Sequence, residues 1–173
     1  MERNKKAQKV VCDSGPIIHL DELNSLPLLR DFKEILISRT VSKEVTRYRP
    51  SALRKLTKSY VLSPESVPVD RRLLILCQMF SLDAGEIGAL ALMEKNPLAI
   101  FLTDDASARL VADQMGFKVH GTIGILVRSI RRKQMKPEET LRILNEIPSK
   151  TTLYIKPSLL DDIILTIKKE FSI

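Results

Sequence analysis

Cysteine is nearly absent from this 173-residue chain: Cys12 and Cys77 are the only two. Each sits in an apolar run, Val10-Val11-Cys12 and Leu73-Leu74-Ile75-Leu76-Cys77, where a buried free thiol is expected. No disulfide framework follows, so a reducing cytoplasm is the expected compartment. Histidine is equally scarce. His19 and His120 stand far apart and no cysteine pair has zinc-ligand spacing, which excludes an obvious structural zinc site. No apolar stretch is long enough to cross a membrane. The N-terminus, Met1-Glu2-Arg3-Asn4-Lys5-Lys6, is basic, but the apolar run behind it ends at Cys12. That is too short for the apolar core of a signal peptide. Glycine numbers six, and no glycine-rich phosphate loop of the Walker kind occurs, so ATP use is not expected. Gly121-Thr122-Ile123-Gly124 is too short to signal dinucleotide binding and reads as a tight turn entering a helix. No internal repeat or low-complexity segment is present.

What the chain does carry is an ordinary globular composition and an excess of positive charge, +7. The length suits one domain able to fold without disulfides or structural metal. A basic balance favours polyanionic partners, nucleic acid being the commonest. Charge alone weighs this evenly against a basic protein that never touches nucleic acid.

Hydrophobic patterning gives alternating elements. Lys9-Val10-Val11-Cys12 is a short β-branched run suited to a buried strand. It stops at Asp13-Ser14-Gly15-Pro16, with Pro16 suited to the first turn of a helix carrying Ile17, Leu20 and Leu23. Glu34-Ile35-Leu36-Ile37 reads as a second strand. Ser38 or Thr40 can cap the helix that follows, with Val41 and Val45 on its buried face. Residues 50–69 hold Pro50, Pro64 and Pro68 and are the least regular, with a lone strand at Tyr60-Val61-Leu62. Helices are predicted over about 69–80 and 83–95, and a buried strand over Leu98-Ala99-Ile100-Phe101-Leu102. Ala108, Val111, Ala112 and Met115 mark a helix closed by Gly116. Phe117-Lys118-Val119 is a short strand, followed by a helix with Ile123, Leu126, Val127 and Ile130. A tail helix after Pro157 carries Leu160, Ile163, Ile164 and Ile167, with Lys168-Lys169 in its last turn. Continuously apolar strands alternating with helices imply an α/β fold, a three-layer α/β/α sandwich around a mostly parallel sheet. The expected organisation is a basic N-terminal extension at 1–8, a domain at 9–155, and a C-terminal helix at 156–173 packing on the domain or on a dimer partner.

In open α/β sheets ligands bind beyond the carboxyl ends of the strands. Two apolar strands end there in acid: Cys12 is followed by Asp13, and Thr103 by Asp104 and Asp105. A single such Asp is most often a helix cap. Two at equivalent strand ends, one of them doubled, point to a site, in which one of Asp104 and Asp105 can cap while the other binds a ligand. Glu44 lies between Val41 and Val45 at the border of a buried helix face, and Glu86 shares a face with Leu90 and Met93. Each is ordinarily a solvated flank residue, but each helix starts near a sheet edge and can point its Glu towards Asp13. Carboxylates gathered in one pocket raise one another's pKa or recruit cations. Mg²⁺ or Mn²⁺ fits, because hard divalent ions take oxygen ligands. Two such ions about 4 Å apart clamp the attacking and leaving oxygens of a phosphodiester. Phosphodiester hydrolysis is therefore the expected reaction class. His19 and His120 have no nucleophile beside them and read as packed or surface histidines.

These residues carry a family resemblance. Val11-Cys12-Asp13-Ser14-Gly15-Pro16-Ile17-Ile18-His19-Leu20 resembles the first motif of PIN domains, in a prokaryotic branch with Asp-Ser/Thr-x-Pro-Leu-Ile after strand one. Leu82-Asp83-Ala84-Gly85-Glu86-Ile87-Gly88-Ala89-Leu90-Ala91-Leu92 resembles its central helix. Leu102-Thr103-Asp104-Asp105-Ala106-Ser107-Ala108-Arg109 resembles its fourth-strand motif, and Phe117-Lys118-Val119-His120-Gly121-Thr122-Ile123-Gly124-Ile125-Leu126 its closing strand and helix. The resemblance spans roughly residues 9–155. It implies an α/β/α sandwich and Mg²⁺- or Mn²⁺-dependent cleavage of RNA. Asp13 is then the first acid and Ser14 its neighbouring hydroxyl. Glu44 is the second acid, and Glu86 takes the third place, where many members have Asp. Asp104 and Asp105 compete for the last, Asp105 fitting the common Thr-x-Asp spacing. Catalysis is expected from all five acids, with Asp13, Glu86, Asp104 and Asp105 as metal ligands. Many relatives are toxins held by a small antitoxin protein, and prokaryotic relatives commonly form homodimers.

RNA is the expected partner, with Ser14, Arg47, Arg49 and Arg109 as substrate-binding residues. Arg54 and Lys55, and Arg128, Arg131, Arg132 and Lys133 at the other end, are further basic candidates for phosphate. Aromatic residues make up 5% of the chain, so base stacking is expected to contribute little. The alternative function is a catalytically weak PIN module that binds RNA or a protein partner. A phosphatase or phosphoacceptor domain is disfavoured: the former wants Asp-x-Asp where position 15 is Gly, and the latter wants a later strand-end Lys opposite the acids, which the pattern does not place.

Overall fold

The computed structural model describes residues 8–56, 60–63 and 67–173. The basic N-terminal extension up to residue 7, and Pro64 of the irregular segment, lie outside the described residues.

The buried runs seen in the sequence become strands. β1 (Lys9–Cys12) leads through Asp13 into α1 (Ser14–Glu22). A 3₁₀ turn (Leu26–Asp31) precedes β2 (Glu34–Ile37), α2 (Arg39–Tyr48), α3 (Ala52–Lys55) and β3 (Tyr60–Leu62). Then come α4 (Arg71–Met79), α5 (Ala84–Lys95), β4 (Ile100–Leu102), α6 (Ala106–Gln114) and β5 (Lys118–His120). The chain closes with α7 (Thr122–Arg131), α8 (Pro137–Lys150) and α9 (Pro157–Phe171). The five strands run in the order β3-β2-β1-β4-β5, and every pairing is parallel.

Alternation along each strand fills two cores. Val10 and Cys12 join Ile35, Ile37, Ile100 and Leu102 on one face. That face is covered by apolar residues of α1, α2, α7, α8 and α9, such as Leu20, Val41, Leu126, Leu144 and Leu160. Val11, Leu36 and Phe101 point the other way, against Leu73 and Cys77 of α4, Leu90 and Met93 of α5, and Val111 of α6. The result is an α/β/α sandwich. Both cysteines are free and buried, and no helix among the described residues is long and apolar enough to cross a membrane.

Several boundaries differ from the pattern reading. The strand expected from Leu98 begins only at Ile100. Leu98 sits in a turn closed by the Ala99 N–H on Asn96 O (2.9 Å) and is 91% exposed. Ser38, not Thr40, caps α2, accepting from the Val41 N–H at 3.1 Å. Gly116 does close α6, with φ at +77°, a conformation that favours a residue without Cβ. Helix α8 has no counterpart in the expected elements. The tail helix α9 buries Leu160 and Ile167 in the first core of its own domain.

The chain moves from β1 outward to β2 and β3, then crosses back to β4 and outward to β5. The direction of winding reverses between β1 and β4. This opens a crevice at their carboxyl ends, where Val11 pairs with Phe101 and Cys12 with Leu102. Asp13 and Thr103 are therefore side by side.

Candidate active site

Asp13 leaves β1 as the cap of α1. Its N–H donates to Leu102 O at 2.9 Å, one Oδ accepts from the Ser14 N–H at 2.8 Å, and the other accepts from the Thr103 hydroxyl at 3.0 Å. Burial pushes its carboxyl up to about 6; the two hydrogen bonds hold it down in part, and the charges of Glu44 and Asp83 add to the rise. Thr103 is fully buried. Its hydroxyl also accepts from the Asp105 N–H at 3.2 Å, so it links the two strand-end acids.

Asp104 and Asp105 have different tasks. Asp105 caps α6, with Oδ1 accepting from the Ala108 N–H at 2.7 Å. Asp104 uses both oxygens on α7 and α1. Oδ1 accepts from the Thr122 N–H at 2.7 Å. Oδ2 accepts from the Thr122 hydroxyl at 2.6 Å and from His19 Nδ1 at 2.7 Å. Helix α7 begins at Gly121 without a cap from its own side chain; Asp104 supplies that cap from another element. A Cβ on residue 121 would lie 2.6 Å from Asp104 Oδ1, so the approach requires glycine.

Glu86 stands one turn into α5 in a reciprocal cap with Asp83. The Asp83 N–H donates to Glu86 Oε2 at 2.8 Å and the Glu86 N–H to Asp83 Oδ1 at 2.9 Å. Burial pushes Glu86 up to about 7, opposed by the Asp83 N–H and reinforced by the charges of Asp105, Asp83 and Asp13. Glu44 reaches the same place from α2. Its Oε2 lies 3.3 Å from where a Cβ on Gly85 would stand, so the small residue admits the carboxylate.

These groups share one cavity of about 380 Å³, lined by Asp13, Ser14, His19, Glu44, Asp83, Glu86, Asp104 and Asp105 and walled by the 152–154 segment. Among the described residues, no lysine or arginine lines it. All five acids expected from the sequence thus converge at the β1–β4 crevice. Among the described residues, however, no three His, Cys, Asp or Glu side chains stand close enough together to hold a metal ion as they are placed. The donor chemistry still suits a hard cation: Asp13, Glu44, Glu86 and Asp105 offer oxygen to a space that no lysine or arginine neutralises.

The three arginines expected at the substrate lie outside this lining. Arg49 Nε binds buried Asp21 at 2.6 Å, beside Lys55 Nζ at 2.7 Å. Burial would raise Asp21, but the two cations outweigh it and hold the carboxyl below its ordinary value. Arg109 Nη2 donates to Thr103 O at 3.2 Å, bracing the strand end. Arg47 lies over the Tyr48 ring at 5.7 Å. At the other end, Arg128 and Arg132 pair with Asp31, and Arg131 with Glu170.

His19, Asp83, Thr103 and Thr122 belong to the site although sequence pattern gives them no role in it. For His19 the signal is its place one turn beyond Gly15. Side chains on a helix lean towards its N-terminus, here towards the acids, and a Cβ on Gly15 would meet His19 Cε1 and Asp104 Cβ at 3.6 and 3.5 Å.

No curated protein matches the chain. A family model described as a PIN domain matches residues 9–169, past the boundary at 155 and through most of α9. PIN domains are generally nucleases that use divalent metals. With the all-parallel sandwich and the acids at its winding reversal, this match over nearly the whole chain means that the protein belongs to the PIN-domain family.

Proposed function

We propose that the protein is a Mg²⁺- or Mn²⁺-dependent endoribonuclease. The observation that carries this reading is the convergence of Asp13, Glu44, Glu86 and Asp105 on one cavity without a lysine or arginine in its described wall. These four would hold the cation. When bound, an ion of this class supplies positive charge against the phosphate and acidifies water.

The chain's own groups do the rest. Thr103 keeps Asp13 pointed into the crevice through its hydroxyl. Asp104 is committed to Thr122 and His19, so it acts as a positioning residue that fixes α1 and α7 around the site. Glu86 spends Oε2 on its cap, which leaves Oε1 to hold a proton near neutral pH and to give it up when a cation enters.

Purified protein should cleave single-stranded RNA when Mn²⁺ or Mg²⁺ is added and not in EDTA. Asp13→Asn should lower the rate by at least about 100-fold. RNA left intact with every divalent ion tried would sink the proposal. One observation favours a second reading, a PIN module that binds RNA with little turnover: the described acids are not preassembled around an ion. That reading expects salt-sensitive RNA binding that is indifferent to Mn²⁺.

A further inference from the structure

A second cavity adjoins the acidic one. Its volume is about 510 Å³, within the range of about 300–1,000 Å³ usual for small-ligand clefts. It lies between the end of α8 and the start of α9. Pro148, Ile155, Pro157 and Leu160 give it an apolar interior, and Thr151 and Asp161 polar groups. Thr152, Leu153 and Tyr154 belong to the walls of both cavities. Tyr154 is 82% exposed, although it stands at the mouth of the carboxylate cluster in a chain with few aromatic residues.

The segment that presents this ring is tied at several points. The Thr151 hydroxyl donates to Ile147 O at 2.9 Å and accepts from the Leu153 N–H at 3.1 Å. The Thr152 hydroxyl lies 3.3 Å from His19 Nε2. His19 Nδ1 donates to the Asp104 carboxylate, which can only accept, and Nε2 is the nitrogen that meets Thr152. A chain of hydrogen bonds thus runs from Thr122 through Asp104 and His19 to the wall between the cavities. The backbone leading to Tyr154 is anchored through residue 153 before any ligand arrives, which lowers the entropy lost by this segment on binding.

We infer that this second cavity is a nucleobase subsite, in which the base next to the scissile phosphate of single-stranded RNA stacks on Tyr154 while the phosphate faces the carboxylates. The inference rests on the ribonuclease reading and names how its substrate is gripped. A flat apolar ring, an apolar floor and a few hydroxyl and carboxylate groups at the rim match a base, with its π-face and polar edge. The shared wall of residues 152–154 places the base beside the phosphate. Stacking of this kind tolerates any base, so broad sequence preference is expected at this position.

The test uses ten-nucleotide single-stranded RNAs with 2-aminopurine at successive positions, titrated with the full chain in Ca²⁺ and assayed for cleavage in Mn²⁺. Wild-type protein should quench 2-aminopurine at the position beside the cleaved bond. Tyr154→Ala should lose that quenching, weaken binding about tenfold and keep the wild-type Tm, while Tyr154→Phe should behave as wild type. Cleavage by the wild type with unchanged quenching and affinity in Tyr154→Ala overturns the subsite alone, and gives the cavity to some other ligand, such as a protein segment. A wild type that neither binds nor cleaves RNA overturns both the subsite and the reading beneath it.

Discussion

Asp13 is held against its own charge. Its carboxyl is raised from 3.8 to about 6, chiefly by burial, so the ionised form is penalised in the folded protein. The stability tied to this group is complete below 3.8 and is lost as the pH rises through about 6. The penalty at neutral pH is about 3 kcal/mol, each tenfold change in proton affinity being worth about 1.4 kcal/mol. Asn caps helices as well as Asp. Asp13→Asn, which should lower the cleavage rate by at least about 100-fold, should therefore raise the Tm at pH 7.5 by several degrees, a gain that shrinks towards pH 4. Thermal scans at the two pH values test this, and a variant less stable than wild type at pH 7.5 would refute it. Thr103 acts in the opposite sense, since its hydroxyl lowers Asp13. Thr103→Val keeps the shape and removes the bond. It should cost about 1–2 kcal/mol and move the acidic limb of the cleavage–pH profile upward. An unmoved limb would mean that Asp13 does not need this partner.

At the scale of elements, strand positions are legible in the sequence wherever an apolar run is bounded by charged or turn residues. Lys9–Cys12 and Glu34–Ile37 form as the pattern predicts. Leu98 misleads because an apolar residue after Pro97 looks like strand and is in fact a solvated turn. Helix α8 carries its own signal, which the strand–helix alternation leaves aside: Pro137 opens it, Glu138 and Glu139 follow in its first turn, and Thr140, Ile143, Leu144 and Ile147 are buried at helical spacing. The acids at strand ends are legible for the same reason as the strands. Which of Asp104 and Asp105 caps α6 is not, because Asp104 is drawn away by Thr122 of α7 and His19 of α1, leaving the cap to Asp105. His19 is opaque because its partner Asp104 lies 85 residues away. The α7 junction gives its own prediction. Gly121→Ala would push a Cβ to within 2.6 Å of Asp104 Oδ1 and should cost about 1–3 kcal/mol. Gly124→Ala, inside α7 with no neighbour nearer than 3.6 Å, should be neutral or stabilising by up to about 1 kcal/mol. Equal Tm values for the two variants would show that the Asp104 cap does not need that space.

For the molecule as a whole, a net charge of +7 surrounds a pocket lined by carboxylates. Part of the basic charge is locally spent: Asp21 takes Arg49 and Lys55, Asp31 takes Arg128 and Arg132, and Glu170 takes Arg131. On the proposed reading, the mutual repulsion of the acids is left to an external cation, which would link fold stability to metal. Any ion that binds only the folded chain raises its stability, by about 2.7 kcal/mol at 100 times its Kd. Protons compete for the same oxygens, because Asp13 and Glu86 hold theirs up to about 6 and about 7. At pH 6 the cation must displace protons; at pH 8 it meets carboxylates already ionised, and their repulsion has made the metal-free fold weaker. Millimolar Mn²⁺ should therefore raise the Tm more at pH 8 than at pH 6. Glu86→Gln should flatten that difference, because it removes the group that titrates nearest neutrality. Scanning wild type and variant with Mn²⁺ and with EDTA at both pH values decides the matter: a Tm indifferent to Mn²⁺, or a gain of equal size at pH 6 and pH 8, would break the link between these carboxylates and a metal.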